Sequence, residues 1–113
     1  MEVIMELDCL LKALAEPTRL KIYQSLLERK HCVRSLSKKL GISESAISQH
    51  LKIMKDAGLV YGEKYGYHTH YLPTQAAIDY LLGEFVQMQN AALTVDRDMT
   101  KCQCEYRKGN VQE

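Results

Sequence analysis

The chain has 113 residues, 46% of them hydrophobic, and a formal net charge of +1. That length holds one domain with a modest core, to which a partner subunit would add buried surface. No apolar run is as long as a membrane span and the opening Met1-Glu2 is not a signal peptide, so a cytoplasmic protein with four reduced cysteines is expected.

In chain order, Ile4, Leu7, Leu11 and Leu14 recur at helical spacing and predict an amphipathic helix over residues 3–15. Pro17 suits the first turn of a second helix, continued by Leu20, Ile22, Tyr23, Leu26 and Leu27 and broken by the polar residues 28–31. Val33, Leu36 and Leu40 predict a third helix, closed by Gly41 as a left-handed C-cap. Ile42 packs in the turn, and the Ser43 hydroxyl can cap a fourth helix that ends at Ala57-Gly58. On this fourth helix Ala46, Ile47, Leu51, Ile53, Met54 and Ala57 fall on the inner side. Ser45, Ser48, Gln49 and Lys52 recur at i, i+3, i+4 and i+7 on the outer side. Residues 59–73 alternate in character and predict two short strands around a Tyr65-Gly66 turn. Thr74 can then cap a last helix reaching the mid-90s. Its stripe of Ile78, Leu81, Leu82, Phe85, Met88 and Ala92 is too long for a small domain to cover alone.

The expected fold is mainly α with a small β-hairpin wing, a winged helix-turn-helix in the order α-α-α-α-β-β-α. It is expected to be a homodimer paired antiparallel through its first and last helices. Residues 1–95 form this domain, and residues 96–113 form a flexible cysteine-containing tail.

Two short helices joined by a tight turn, the second with a small polar face, are the layout of a DNA reader. Short hydrogen-bonding side chains near the start of such a helix are what base edges in a major groove require. The charge distribution agrees: residues 17–70 carry a balance of +6 and the flanks −5, so one face suits phosphate. An enzyme is not expected, because the chain has no Gly-rich phosphate loop, no nucleophile elbow and no convergent catalytic cluster.

From Leu11 to Pro73 the chain resembles the ArsR/SmtB family of small transcriptional repressors. The stretches that carry this are LKALAEPTRLKIYQSL, SLSKKLGISESAISQHLKIMKDAGLV and the wing GEKYGYHTHYL. The resemblance implies a homodimeric winged-helix repressor that leaves a palindromic operator in double-stranded DNA when an inducer, usually a metal ion, binds. Carried over residue by residue, Ser45, Ser48, Gln49 and Lys52 meet bases and phosphates. His50 matches the pattern from the flank of the helix, as a structural or phosphate-bonding residue. Lys64, Tyr65 and His68 near the wing tip either touch backbone or minor groove or stay solvated. Arg19 and Lys21 are expected to be solvated or ion-paired, with phosphate contact as the alternative.

The sensory chemistry departs from the family. One family site uses Cys-Val-Cys at the start of the third helix. Here Cys32 is kept, Arg34 replaces the second thiol and Ser37 stands where a third sometimes occurs. Cys32 beside Lys30, His31 and Arg34 is either a thiolate favoured by positive potential or a small N-cap residue. A second family site uses carboxylates and imidazoles on the final helix, where this chain has Gln75, Ala77, Met88 and Ala91, no ligand set. His68 and His70 face one side of a strand but lack further ligands.

The remaining candidate is Cys102-Gln103-Cys104. In an extended segment both sulfurs project to one side and can grip one soft ion, whereas in a continuing helix they would diverge by roughly 200° and could not. Cys9 of the first helix, in the other subunit, or alternatively Cys32, would supply a third thiolate. Three thiolates suit arsenite first, then cadmium or lead. Such an ion would change how the first and last helices pack. It would thereby spoil the spacing of about 34 Å that two recognition helices need on one DNA face. The alternatives are a thiol-oxidation or persulfide-sensing repressor of the same fold, and a metal-buffering protein without DNA binding.

Overall fold

The computed structural model describes residues 5–102 and Cys104. Its elements are α1 (Leu7–Leu14), α2 (Pro17–Glu28), α3 (Val33–Leu40), α4 (Glu44–Asp56), β1 (Val60–Tyr65), β2 (His68–Pro73) and α5 (Gln75–Thr94). This is the expected winged helix-turn-helix order. No helix among the described residues is long and apolar enough to cross a membrane.

Local chemistry sets the element boundaries. Pro17 occupies the first position of α2, and the Glu16 carboxylate caps that end by accepting the Arg19 N–H at 2.8 Å. α3 closes at Gly41 with φ 68° and ψ 35°, the left-handed region glycine reaches without a Cβ penalty. Ser37 Oγ then donates to the Ile42 carbonyl at 2.5 Å, and Ser43 Oγ accepts from the Ala46 N–H at 3.2 Å. The turn between α3 and α4 is therefore hydrogen-bonded at both ends, which fixes how α4 leaves α3.

β1 and β2 pair antiparallel in the register Val60↔Pro73 to Tyr65↔His68. Their two-residue turn is Gly66-Tyr67, one residue later than the alternation suggested. Gly66 has φ 66° and no other residue there is left-handed, the requirement of a type II′ hairpin. On the far edge of β2, His31 pairs with Tyr71 (Tyr71 N–H to His31 O, 2.8 Å), so the α2–α3 connection anchors the wing. The core joins Leu10, Ile22, Leu26, Leu36, Ile47, Leu51, Met54 and Leu59.

Several expectations need correction. α1 starts at Leu7 behind Glu6, not at residue 3, and Ile4 lies outside the described residues. α1 buries Leu10 and Ala13 in its own core, whereas Leu11 is exposed and Leu7 and Leu14 are half-buried. Ile53 is 45% exposed, because only Ile47, Leu51 and Met54 align on the buried stripe of α4. Ile53 instead lies seven residues from Ala46 on the flank that faces α1. Thr74 precedes α5 but makes no side-chain capping bond.

α5 spans 20 residues, about 30 Å, and buries only Ala77 and Leu81. Its stripe leaves Leu82 63%, Phe85 47% and Met88 46% exposed. An apolar groove of about 510 Å³ runs between α1 and α5, lined chiefly by Leu14, Ile78, Leu81, Leu82 and Phe85. The radius of gyration is 20.2 Å, where a compact chain of this length would have about 13 Å.

Candidate nucleic-acid interface and thiol sites

Ser45, Ser48, Gln49 and Lys52 are all exposed on α4. Among the described residues the Ser45, Ser48 and Gln49 side chains make no hydrogen bond within the chain, so their donors and acceptors are open to a partner. Lys52 pairs with Asp56 at 3.2 Å, but both groups are solvated and such an i, i+4 pair is readily exchanged for a phosphate. The N-terminus of α4 lies at the same end, with one amide taken up by Ser43 Oγ and Glu44 in its first turn.

His50 differs from these four. It is half-buried on the α4 flank, and its Nδ1 lies 3.4 Å from Arg19 Nη1. Arg19 is half-buried, and its Nε donates to the Ala13 carbonyl at 2.7 Å. Glu16, which faces both, has its carboxyl held below the usual range. The Arg19 N–H is the main cause; burial opposes it, and the nearby His50 and Arg19 charges add to the lowering.

On the wing, Lys64 and His68 are exposed and Tyr65 is 80% exposed. Tyr67 at the tip is fully exposed and was not singled out from sequence, although its place after a turn glycine was the available signal. Lys64, Tyr65 and His70 line a shallow 320 Å³ pocket with Lys30 and Glu63. His68 lines a different one with Cys32 and Glu44.

The four cysteines fall into three places, and no disulfide joins them among the described residues. Cys32 is the N-cap of α3 without a capping bond of standard geometry. Burial opposes its ionisation, but the Ser35 and Arg34 amides and the Ser35 hydroxyl outweigh that and hold the thiol below its ordinary pKa. Its neighbour His31 is buried, hydrogen-bonded from Nδ1 to Ser35 Oγ at 2.7 Å and unpartnered at Nε2. Burial lowers the His31 pKa, helped by the Lys39 and Arg29 charges and opposed by Glu28.

Cys102 and Cys104 are exposed, with their Sγ atoms 2.7 Å apart. Their mutual contact raises the Cys104 pKa, as two sulfurs that share one proton resist a second ionisation. Cys9 is exposed on the first turn of α1, where its thiol donates to Glu6 at 3.3 Å. That bond, then burial and the Asp8 and Glu6 charges, raise its pKa. Glu6, Asp8 and Cys9 place their ligand atoms within 4.8 Å of one another, a grouping the sequence reading missed because it weighed thiols without the adjacent carboxylates. Among the described residues one protomer brings neither Cys9 nor Cys32 into a three-ligand group with the Cys102–Cys104 pair.

The comparisons with known proteins agree with this architecture. Residues 16–61 match the model of the arsR family of bacterial regulatory proteins. The chain is 47% identical over 57 residues to the HTH-type transcriptional repressor SmtB of Mycobacterium tuberculosis, covering 50% of this chain and 42% of that one. The chain thus spans less than half the length of that relative. It is 34% identical over 84 residues to the arsenical resistance operon repressor of Bacillus subtilis, covering 74% and 80% of the two chains. A crystal structure described as a possible transcriptional regulator for arsenical resistance superposes with a TM-score of 0.64 at 31% identity, over 80% of this chain and all of that one. With helix-turn-helix, wing and a relative matched over four-fifths of its length, this chain belongs to the arsR family of bacterial regulatory proteins.

Proposed function

We propose that the chain is a homodimeric transcriptional repressor that binds an inverted-repeat operator through α4 and the wing. A thiophilic ion, arsenite first and otherwise cadmium or lead, releases it by binding Cys102 and Cys104. The observation that carries the DNA reading is the exposed, internally unpaired Ser45–Ser48–Gln49 face of α4. The apolar groove between α1 and α5 supports pairing of two protomers there. Two relatives with arsenical resistance in their descriptions favour the metalloid.

The adjacent sulfurs of Cys102 and Cys104 suit an ion that takes soft ligands at a sharp angle. Arsenite condenses with the thiols: each As–OH bond is replaced by an As–S bond, and the thiol proton leaves with the hydroxyl as water, with no change of oxidation state. The third sulfur comes from Cys9 of the other protomer. Cadmium or lead must instead displace the Cys9 proton into solvent, so release by these two ions is favoured at alkaline pH.

The test titrates the reduced protein on its operator with arsenite, cadmium and zinc, beside a Cys102→Ser/Cys104→Ser variant. Release of wild type alone by arsenite supports the reading. Release of both proteins removes the pair from the mechanism. The close sulfurs also favour a second reading, in which peroxide or polysulfide oxidises the pair and drives release. Wild type that ignores every ion and responds to peroxide selects it.

A further inference from the structure

Arg19 joins three elements with one side chain. Its backbone N–H is accepted by Glu16, the N-cap of α2, at 2.8 Å. Its Nε donates 2.7 Å to the carbonyl of Ala13, in the last turn of α1, where helix carbonyls have no partner of their own. Its Nη1 meets His50 Nδ1 on α4 at 3.4 Å. A guanidinium has no acceptor, so Arg19 donates and Nδ1 accepts. The proton of the neutral ring then sits on Nε2, which makes no hydrogen bond among the described residues. His50 directly follows Gln49 and lies two residues before Lys52, so its ring borders the polar face of α4.

We propose that Arg19 is a positioning residue for DNA binding: it pins the Nδ1 edge of His50 and thereby aims Nε2–H at a backbone phosphate beside the bases that α4 reads. The inference rests on the DNA-binding reading above and adds a division of labour within it. His50 contributes affinity and register through phosphate, and Ser45, Ser48 and Gln49 contribute sequence discrimination. Lysine at position 19 would not substitute. Its single ammonium lacks the fork that reaches the Ala13 carbonyl and His50 together.

Two measurements test it. In the free protein, long-range proton–nitrogen spectra of the His50 ring are expected to show Nδ1 as a hydrogen-bonded acceptor and Nε2 as the protonated nitrogen. Arg19→Met is expected to move Nδ1 toward its unbonded value. On operator DNA, affinity is measured for wild type, Arg19→Met, His50→Asn and the double variant. Asparagine keeps an acceptor for Arg19 near the Nδ1 position and deletes Nε2. His50→Asn is expected to weaken binding roughly tenfold or more, the loss of one hydrogen bond to a charged phosphate, and to leave the salt slope unchanged because the neutral ring displaces no counterion.

Arg19→Met is expected to weaken wild type by a similar factor and to cost the His50→Asn background almost nothing. An equal Arg19→Met penalty in both backgrounds overturns the inference, because Arg19 would then act only as a structural tie between α1 and α2. A ring with the proton on Nδ1 overturns it as well. If Arg19→Met does not fold, Arg19→Lys replaces it in the same cycle, with the same outcomes deciding. Wild type that binds no duplex sinks the DNA reading, and the phosphate role with it, while the free-protein spectrum still judges the Arg19–His50 contact.

Discussion

Phe85 offers a quantitative probe of the dimer. It lies on α5 at the edge of the α1–α5 groove and stays 47% exposed in the protomer. Full burial of such a side chain is worth about 1.5–3 kcal/mol, so covering the remaining half contributes about 0.7–1.5 kcal/mol per protomer. A twofold axis applies each contact twice, and Phe85→Ala therefore removes about 1.5–3 kcal/mol from the pair. The dimer dissociation constant should rise roughly 10- to 150-fold. The protomer fold should hardly respond, since the ring is not part of the core. Sedimentation velocity over a concentration series measures the constant, with Tyr67→Ala at the fully exposed wing tip as a control that leaves dimerisation unchanged. A Phe85→Ala constant within threefold of wild type, or a wild type that is monomeric throughout, refutes pairing through α1 and α5.

Three further outcomes follow from single positions. Gly41→Ala forces a left-handed φ of 68° on a residue with a Cβ, yet that Cβ would meet nothing within 4 Å. The cost is backbone strain alone, about 1–2 kcal/mol, and an unchanged urea midpoint would contradict it. Gly62→Ala would set its Cβ 2.8 Å from Thr69 Cγ2 and 3.2 Å from Tyr71 Cε2, so the wing should lose about 1–3 kcal/mol. Adding Thr69→Ser removes the clashing methyl and should recover much of it; no recovery in thermal melts would show the clash lies elsewhere. His31 is kept neutral by burial and by Lys39 and Arg29, so its folded pKa lies below the unfolded one. The stability it contributes is fully present above the usual histidine pKa near 6.5 and is lost as the pH falls from there toward the lower folded value. Urea titrations from pH 8 to 5 should show that loss in wild type and a flatter profile in His31→Gln; identical profiles would exclude His31 as the cause.

What could be read from sequence follows from how local each cause is. Gly41, Ser43 and Pro17 act within one helical turn, and the boundaries they signal appear where expected. Apolar periodicity located the helices but did not rank their faces. Leu10 and Ala13, not Leu11, reach the core because tertiary packing chooses among adjacent apolar positions. Ile53 went wrong for the same reason. Arg19 and His50 were out of reach, being 31 residues apart and joined only by the crossing of α2 and α4. The closeness of Cys102 and Cys104 does not follow from the extended segment that the sequence suggested, since Cys104 is helical. The grouping of Glu6 with Asp8 and Cys9 was also local, and a reading of first-turn carboxylates would have found it.

The central claim is that two copies of the exposed α4 face read one DNA site together, and selection from a randomised duplex pool tests it most directly. Wild type should enrich an inverted repeat whose half-sites lie about one helical turn apart, and Gln49→Ala should lose preference at defined positions within each half-site while keeping its salt dependence. Enrichment of no sequence, or of a single unrepeated half-site bound equally well by Gln49→Ala, would contradict it.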